Sequence, residues 1–420
     1  MPGWRTSLGC AAVTLLTAAC GSPEPPAPSA SAPAGLAPVA VAVPAGMDQA
    51  PLDVPRQALV PPDWTMSVWA RVPGARLAAW APDGALIISV PGSGQVLRLT
   101  PDGRQARTAV LLEGLDQPHG LAFDGATLYV AESNQVNTFR YAGGAATQQR
   151  VIAAGLPDAR SPELGGAYAH ALKSVAVAAD GAVYFSIGST GNISAADRTA
   201  NPPRATIMRI PPAGGGAEPF ATGVRNGTGL AIGLDGSVWT AVNNRDDVLD
   251  PRPGPSYGKV TDYVNEHPPE VIARLTAGRE LGWPYCNPEP GGFVRDVQTN
   301  ADGSKLDCAA LTPVEQTLGA HSAPLGLSFT DGVLPDPFAR GALLGVHGSW
   351  NRTPPRAPEV SFFAWRSGTL GPQQTLVGGF QAEDGKRWGR PVAAVVGPDG
   401  AVYITDDYAG AVYRLAPPGR

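Results

Sequence analysis

The chain has 420 residues and a formal net charge of −5, with only 16% charged side chains against 52 glycines and 44 prolines. That much punctuation implies many short elements and many turns, hence an all-β protein over a helical one. Lys and Arg form no run, so the sequence gives no support to nucleic acid or an anionic membrane surface as a partner.

In chain order, the first segment reads as a targeting signal. Arg5 supplies a positive charge, Ser7 to Ala19 is small and apolar, and LLTAAC ends at Cys20. The stretch is too short to span a bilayer as a permanent helix. It resembles a bacterial lipoprotein signal, which implies residues 1–19 as signal peptide and lipidation of Cys20; ordinary cleavage nearby is the alternative. Either way the expectation is export to an oxidising compartment; in the lipoprotein reading a lipid anchor is the membrane contact. Residues 20–58 are rich in Ala, Pro and Ser and almost free of charge until about Pro55. Such a segment is expected to be a disordered tether, leaving residues 59–420 as the folded domain.

One unit then recurs: an apolar strand, an Asp-Gly turn and an alternating apolar strand. Its copies include LAAWAPDGALIISV, VAVAADGAVYFSI and VAAVVGPDGAVYITDD, with turn aspartates at Asp83, Asp124, Asp180, Asp235, Asp331 and Asp399. Asp-Gly between alternating runs is a strong hairpin signal. Six hairpins over about 360 residues leave roughly 60 residues per unit, enough for a four-stranded propeller blade with loops on one face. The sequence therefore predicts a six-bladed β-propeller, with a sandwich as the competing architecture. Trp64–Arg71 is expected to add a strand to the last blade and close the ring, because closure removes exposed edges. The widest gap between turns, Asp235 to Asp331, predicts an insert. It holds Cys286 and Cys308, which in an exported protein most simply form one disulfide.

Aligning the units on their turns reveals a second pattern. His170 stands ten residues before Asp180, Arg225 ten before Asp235 with Asn226 next to it, His321 ten before Asp331, and Arg390 nine before Asp399. In the shorter units His119 stands five before Asp124 and Arg76 seven before Asp83. Each unit thus has a His or Arg where its first strand begins. In a propeller these positions converge around the axis on one face, and a cationic ring there suits an anionic ligand. His347 lies on a later strand and is expected to reach the same face, whereas His267 reads as a loop residue.

Several of these segments look alike to a known family. HALKSVAVAADGAVYFSIGSTGN resembles the His-containing blade of the quinoprotein glucose/sorbosone dehydrogenases, and GVRNGTGLAIGLDG their Arg-Asn segment. AVNNRDD, LGWPYCNP, HSAPLGLSF, HGSWNRTPP and WGRPVAAVVGPDGAVYITDDYAGAVYRL are similar, in order, to motifs of the sorbosone-dehydrogenase-like branch, so the resemblance covers about Leu77 to Leu415. It implies a propeller that binds pyrroloquinoline quinone (PQQ) with Ca²⁺ and oxidises a sugar, polyol or sorbosone-like aldehyde. By that resemblance His170 is the general base and Arg225 lies near the quinone oxygens. Asn226, Arg352 and Arg390 are further cofactor contacts, and His119 and His321 join them through the ring. Calcium is expected at Asn243, Asn244 and Arg245, partly through carbonyls, with Asp246 or Asp247 nearby.

The residue types suit that chemistry. Three PQQ carboxylates call for arginines. Calcium prefers oxygen ligands and acts as a Lewis acid. A neutral imidazole can take a hydroxyl proton near neutral pH. The chain departs from the family pattern after the His170 strand. The glucose-oxidising members carry a supporting acid there, and here Ser189 and Thr190 follow; likewise Thr228 stands where some members have Gln. No CxxCH haem motif is present, so a separate electron acceptor is implied. Two other classes remain alternatives: a metal-dependent lactonase, which needs a carboxylate-rich axis, and a non-catalytic propeller that binds an anionic ligand.

Overall fold

The structure is a computed structural model that describes residues 35–382 and 384–420. Its described part is built of strands joined by turns and short 3₁₀ segments, with none of its helices long and apolar enough to cross a membrane. Six sheets form the body: five have four strands and the third blade has five. The innermost strands are Ala78–Trp80, Gly120–Asp124, Val175–Val177, Gly229–Ile232, Pro324–Asp331 and Pro391–Val396. Each touches the next, and the sixth touches the first, so the ring is a closed six-bladed propeller as the repeat predicts.

Closure happens where the sequence places it. Thr65–Arg71 pairs antiparallel with Ala411–Ala416 and supplies the outer strand of the sixth blade. The Asp-Gly turns make the inner hairpins. In blade 3, Ala178 and Ala182 flank a three-residue loop, Asp180 Oδ1 accepts from Ala182 N at 2.9 Å, and Gly181 takes φ +88°. Aspartate folding back on the chain and glycine entering the left-handed region are what such a loop demands. Only blade 2 has a two-residue loop, since Asp124 pairs directly with Thr127.

The core consists of six apolar clusters, one between each pair of neighbouring blades. Between blades 4 and 5, for instance, Trp239, Ile272 and Leu318 meet Leu344 and Phe363. Each blade buries both faces against its neighbours, which explains why the second strands Leu86–Val90, Val183–Ile187 and Val238–Val242 are buried at every position. The alternation of a half-exposed sheet is lost there.

The N-terminal expectation needs correction. Residues 35–58, read as part of a tether, are folded: Ala37–Ala40 pairs with Gln57–Val60, and Leu59 bridges Gly378 on blade 5. Val41, Leu52 and Ala58 are buried in the cluster between blades 5 and 6. A segment too poor in large apolar residues to build its own core can still pack onto one already built. Residues 1–34, including the signal and Cys20, lie outside the described residues.

The insert leaves blade 4 twice, between Val238–Val242 and Glu270–Leu275 and again before Gln316–Leu318. It carries the hairpin Cys286–Glu289 and Gly292–Arg295, and lends Arg279–Glu280 as a parallel fifth strand to blade 3. Cys286 and Cys308 are disulfide-bonded, as expected.

Candidate active site

His170 precedes the innermost strand of blade 3. Its Nδ1 lies 3.0 Å from Ser189 O and 2.9 Å from Ser189 Oγ, at the end of the next strand. Gly188 allows this approach, because a Cβ there would come within 2.6 Å of His170 Cβ. Ser189 N in turn donates to Arg225 O at 2.7 Å, tying the histidine to the start of blade 4. Burial, then the nearby Arg225 charge, pushes the His170 imidazole down to about 4, so it is neutral at pH 7.

Blades 4 and 5 complete a cleft of ≈ 140 Å³, lined by His170, Arg225, Asn226, Asn243, Asn244, Asp246, Glu270, His321, Ala323 and Trp350. Arg225 is buried, and its Nη1 donates to Asn243 O at 3.2 Å and Asn244 O at 2.8 Å. Asp246 faces it at 3.7 Å. Asn192 locks the arrangement: its Oδ1 accepts from Asp246 N at 2.8 Å and from Arg225 Nη2 at 3.1 Å. His321 sits between Asp246 Oδ1 at 3.2 Å and Val264 O at 2.7 Å. Burial opposes its charged form, but the Asp246 and Val264 hydrogen bonds win and raise its pKa. Glu270, accepting from Asn244 N, is pushed up to about 7 by burial. Trp350 stands at the mouth, 79% exposed.

A second constellation gathers residues from the other blades. Arg76 Nη1 and Arg390 Nε hold Asp407 at 2.8 and 2.9 Å. His347 Nε2 comes within 3.5 Å of the same carboxylate without forming a hydrogen bond. Burial and the Arg76, Arg390 and Arg387 charges hold His347 well below the usual imidazole range. His119 is buried and bonded through Nδ1 to Lys173 O at 3.2 Å; burial and Arg76 push it down to about 3. Two arginines therefore share one carboxylate, and Arg387, bonded to Gln381 and to the Ser349 and Arg356 carbonyls, adds its charge nearby. Arg76 Nε, His119 Nε2 and His347 Nε2 are buried without a hydrogen-bond partner, an arrangement that favours an anion.

The structure thus brings His170, Arg225, Asn226, Asn243, Asn244, Asp246 and His321 into one cleft, and Arg390, Arg76, His119 and His347 into a neighbouring cluster. Three expected positions lie elsewhere. Arg352 points to the insert, where it pairs with Glu266 and donates to Asn265 O at 2.9 Å. Arg245 is buried in an ion pair with Asp296, which turns its side chain into a strut for the insert. Asp247 is exposed at φ +53° and does not line the cleft. His267 is a loop residue, stacked on Tyr263 at 3.8 Å between ring centroids. The larger groove of ≈ 620 Å³ lies on the insert beside Cys308, and no member of the His/Arg ring lines it.

Four participants escaped the sequence reading. Asp407 follows its strand in ITDD, and its cationic partners stand up to 331 residues away. Glu270 opens a buried strand as a single carboxylate after HPP. Asn192 and Trp350 belong to motifs read for other residues. Only the doubled aspartate at a strand end, on the face where the arginines converge, offered a signal.

Comparison with known proteins bears on the family and the fold. The TrAA12-like family profile matches residues 59–417. Among solved structures, the holo form of the pyranose dehydrogenase PQQ domain from Coprinopsis cinerea superposes with a TM-score of 0.73 at 19% identity, covering 89% of this chain and 100% of that one. The calcium structure of the family AA12 enzyme from Trichoderma reesei gives 0.71 at 18% identity, covering 85% and 96%. At such identities these likenesses establish the propeller fold, which is also that of PQQ-dependent sugar dehydrogenases. A curated relative, an uncharacterised protein of Borreliella burgdorferi, is 28% identical over 205 residues, or 47% of this chain and 48% of its own. The chain therefore spans about half the length of the curated relative it matches.

Proposed function

The chain belongs to the TrAA12-like family, and we propose that it is an exported quinoprotein dehydrogenase that oxidises a sugar, a related polyol or a sorbosone-like aldehyde with PQQ and calcium. One observation carries this reading: a neutral histidine, held at Nδ1 and open at Nε2, shares a cleft with a buried arginine beside a cluster in which two arginines share one carboxylate.

The donor set fits PQQ. Arg76 and Arg390, with the unpartnered His119 and His347 nitrogens, would hold its carboxylates. Arg225 and Asn226 would face the quinone from blade 4. When bound, PQQ supplies the two-electron chemistry that side chains lack. The protein supplies position, field and proton handling. His170 Nε2 takes the proton of the substrate hydroxyl, with Nδ1–H fixed behind it. Arg225, desolvated and cationic, stabilises negative charge developing on an oxygen beside it. Trp350 offers an apolar face at the mouth against which a sugar ring can lie.

Calcium fits as a partial oxygen set. Asn243 O, Asn244 O and Asp246 are hard donors, fewer than the six to eight that calcium takes, so the remainder comes from outside the protein. Both carbonyls accept from Arg225, and each keeps a second lone pair that could face a cation. A separate electron carrier completes the cycle. Export and lipidation at Cys20 stay part of this proposal. The lactonase alternative loses ground, because the axis carries His and Arg.

The test is dye reduction by the purified protein, reconstituted with PQQ and CaCl₂, over a panel of sugars, polyols and aldehydes. The reading predicts turnover of at least one, and a kcat about 10²–10⁴-fold lower in His170→Gln with PQQ binding retained. No turnover, or an unimpaired His170→Gln enzyme, would count against it. PQQ binding without turnover would favour the non-catalytic propeller.

A further inference from the structure

Ser189 occupies the position behind His170 where a supporting carboxylate is expected, and its hydrogen bonds give it a defined task. Two oxygens approach His170 Nδ1: the Ser189 carbonyl at 3.0 Å and its hydroxyl at 2.9 Å. A carbonyl can only accept, so Nδ1 carries the proton. The hydroxyl could in principle donate, but its proton is committed: Ser189 Oγ donates to Gly191 O at 2.7 Å. Its lone pair is what remains for the imidazole. Both contacts therefore select one tautomer, Nδ1–H, and leave the lone pair on Nε2, for which no described residue is a hydrogen-bond partner.

The serine is itself held. It is fully buried, and its N–H donates to Arg225 O at 2.7 Å. The next residue, Thr190, donates through N at 2.8 Å and Oγ1 at 3.0 Å to Asp197, which is also fully buried. A carboxylate is thus present behind the loop, one step further from the histidine. It fixes the backbone that carries Ser189 without touching the ring.

We propose that Ser189 is a positioning residue of this site, an uncharged carbonyl–hydroxyl pair that holds His170 as the Nδ1–H tautomer and leaves Nε2 to the cleft. The proposal rests on the reading of His170 as a base and adds how this chain orients that base without an adjacent acid. A neutral partner has a consequence: it fixes the ring without stabilising its protonated form, as a carboxylate would. The charged groups that face His170 are then Arg225, which disfavours protonation, and Asp246, which favours it. Glu270 and His321 line the same cleft from blades 4 and 5.

The test uses the full chain without cofactor, labelled with ¹⁵N-histidine, and His170→Gln to assign the signal. Wild type should show His170 as the Nδ1–H tautomer at pH 7. Ser189→Asp should keep that tautomer and raise the pH of half-protonation by at least about one unit, a tenfold gain in proton affinity. Ser189→Ala, the variant that keeps volume and avoids a buried charge, should shift the tautomer ratio roughly five- to tenfold toward Nε2–H. A purely structural serine would change stability in these variants and leave tautomer and titration where they were. An Nε2–H wild type, or variants with unchanged His170 spectra, would overturn the proposal. The spectra need no PQQ, so the two readings fail separately. Spectra as expected with no dye reduction would sink the dehydrogenase, and dye reduction with an Nε2–H histidine would sink the role of Ser189.

Discussion

Three histidines of the two clusters lie where desolvation disfavours protonation: His170 is pushed down to about 4, His119 to about 3, and His347 well below its usual range. On the proposed reading, His170 would stay a competent base into mildly acidic solution. The acid limb of kcat/KM should fall near pH 4, a point read directly from dye-reduction profiles. For stability the sign follows from proton counts. An unfolded histidine takes up a proton near ~6.5, and folded His119 refuses it until about 3. Its contribution is therefore present above pH 6.5 and lost as pH falls through that window. His321 has the opposite sign, because Asp246 and Val264 O favour its charged form, and Glu270, pushed up to about 7, also binds its proton more readily when folded. A difference measurement isolates the His119 part. The Tm advantage of wild type over His119→Gln should shrink as pH falls from about 6.5 to 4; an advantage that grows with acid would contradict the assignment. These shifts were invisible in the sequence, which showed that each blade starts on His or Arg. Burial and pairing depend on residues such as Asp407, brought to Arg76 across 331 positions.

At the scale of elements, two devices outside the six hairpins are open to test. The disulfide closes a loop with a sequence separation of 22 in the insert, and by chain-entropy reasoning its loss costs about 3 kcal/mol. Cys308→Ser should lower Tm by several degrees in calorimetry, and reductant should do the same to wild type only. The N-terminal hairpin buries Leu52 and Ala58 against blades 5 and 6. Removing residues 35–60 should lower the unfolding free energy by a few kcal/mol, at about 25 cal/mol per Å² of apolar surface exposed; a truncated protein as stable as the full chain would show the contact to be idle. The hairpins themselves were legible because Asp-Gly acts locally: the aspartate folds onto the chain two residues on, and the glycine supplies positive φ. The N-terminal hairpin was not, because its stability comes from a surface formed largely by blades 5 and 6, most of which lies far along the chain. Composition alone argued for disorder there.

The whole molecule turns a repeat into a site. Because each innermost strand begins on the same face, six ordinary loop positions become a ring. The sequence could reveal that ring once the units were aligned on their turns. It could not divide the ring into its two halves, the His170–Arg225 cleft and the Asp407 cluster. Nor could it show Arg245 and Arg352 spent on the insert, since those partners lie on irregular segments without a repeat. The division matters for the proposed function, in which one half would handle a proton and the other would hold an anion. Absorbance titration of PQQ into the full-length protein with calcium, followed by addition of the sugar panel, joins both halves in one measurement. The account predicts saturable 1:1 binding at micromolar PQQ, weakened at least about tenfold by Arg390→Ala, and bleaching of the bound quinone by at least one sugar, polyol or aldehyde. No binding at micromolar PQQ, or binding indifferent to Arg390, would contradict it.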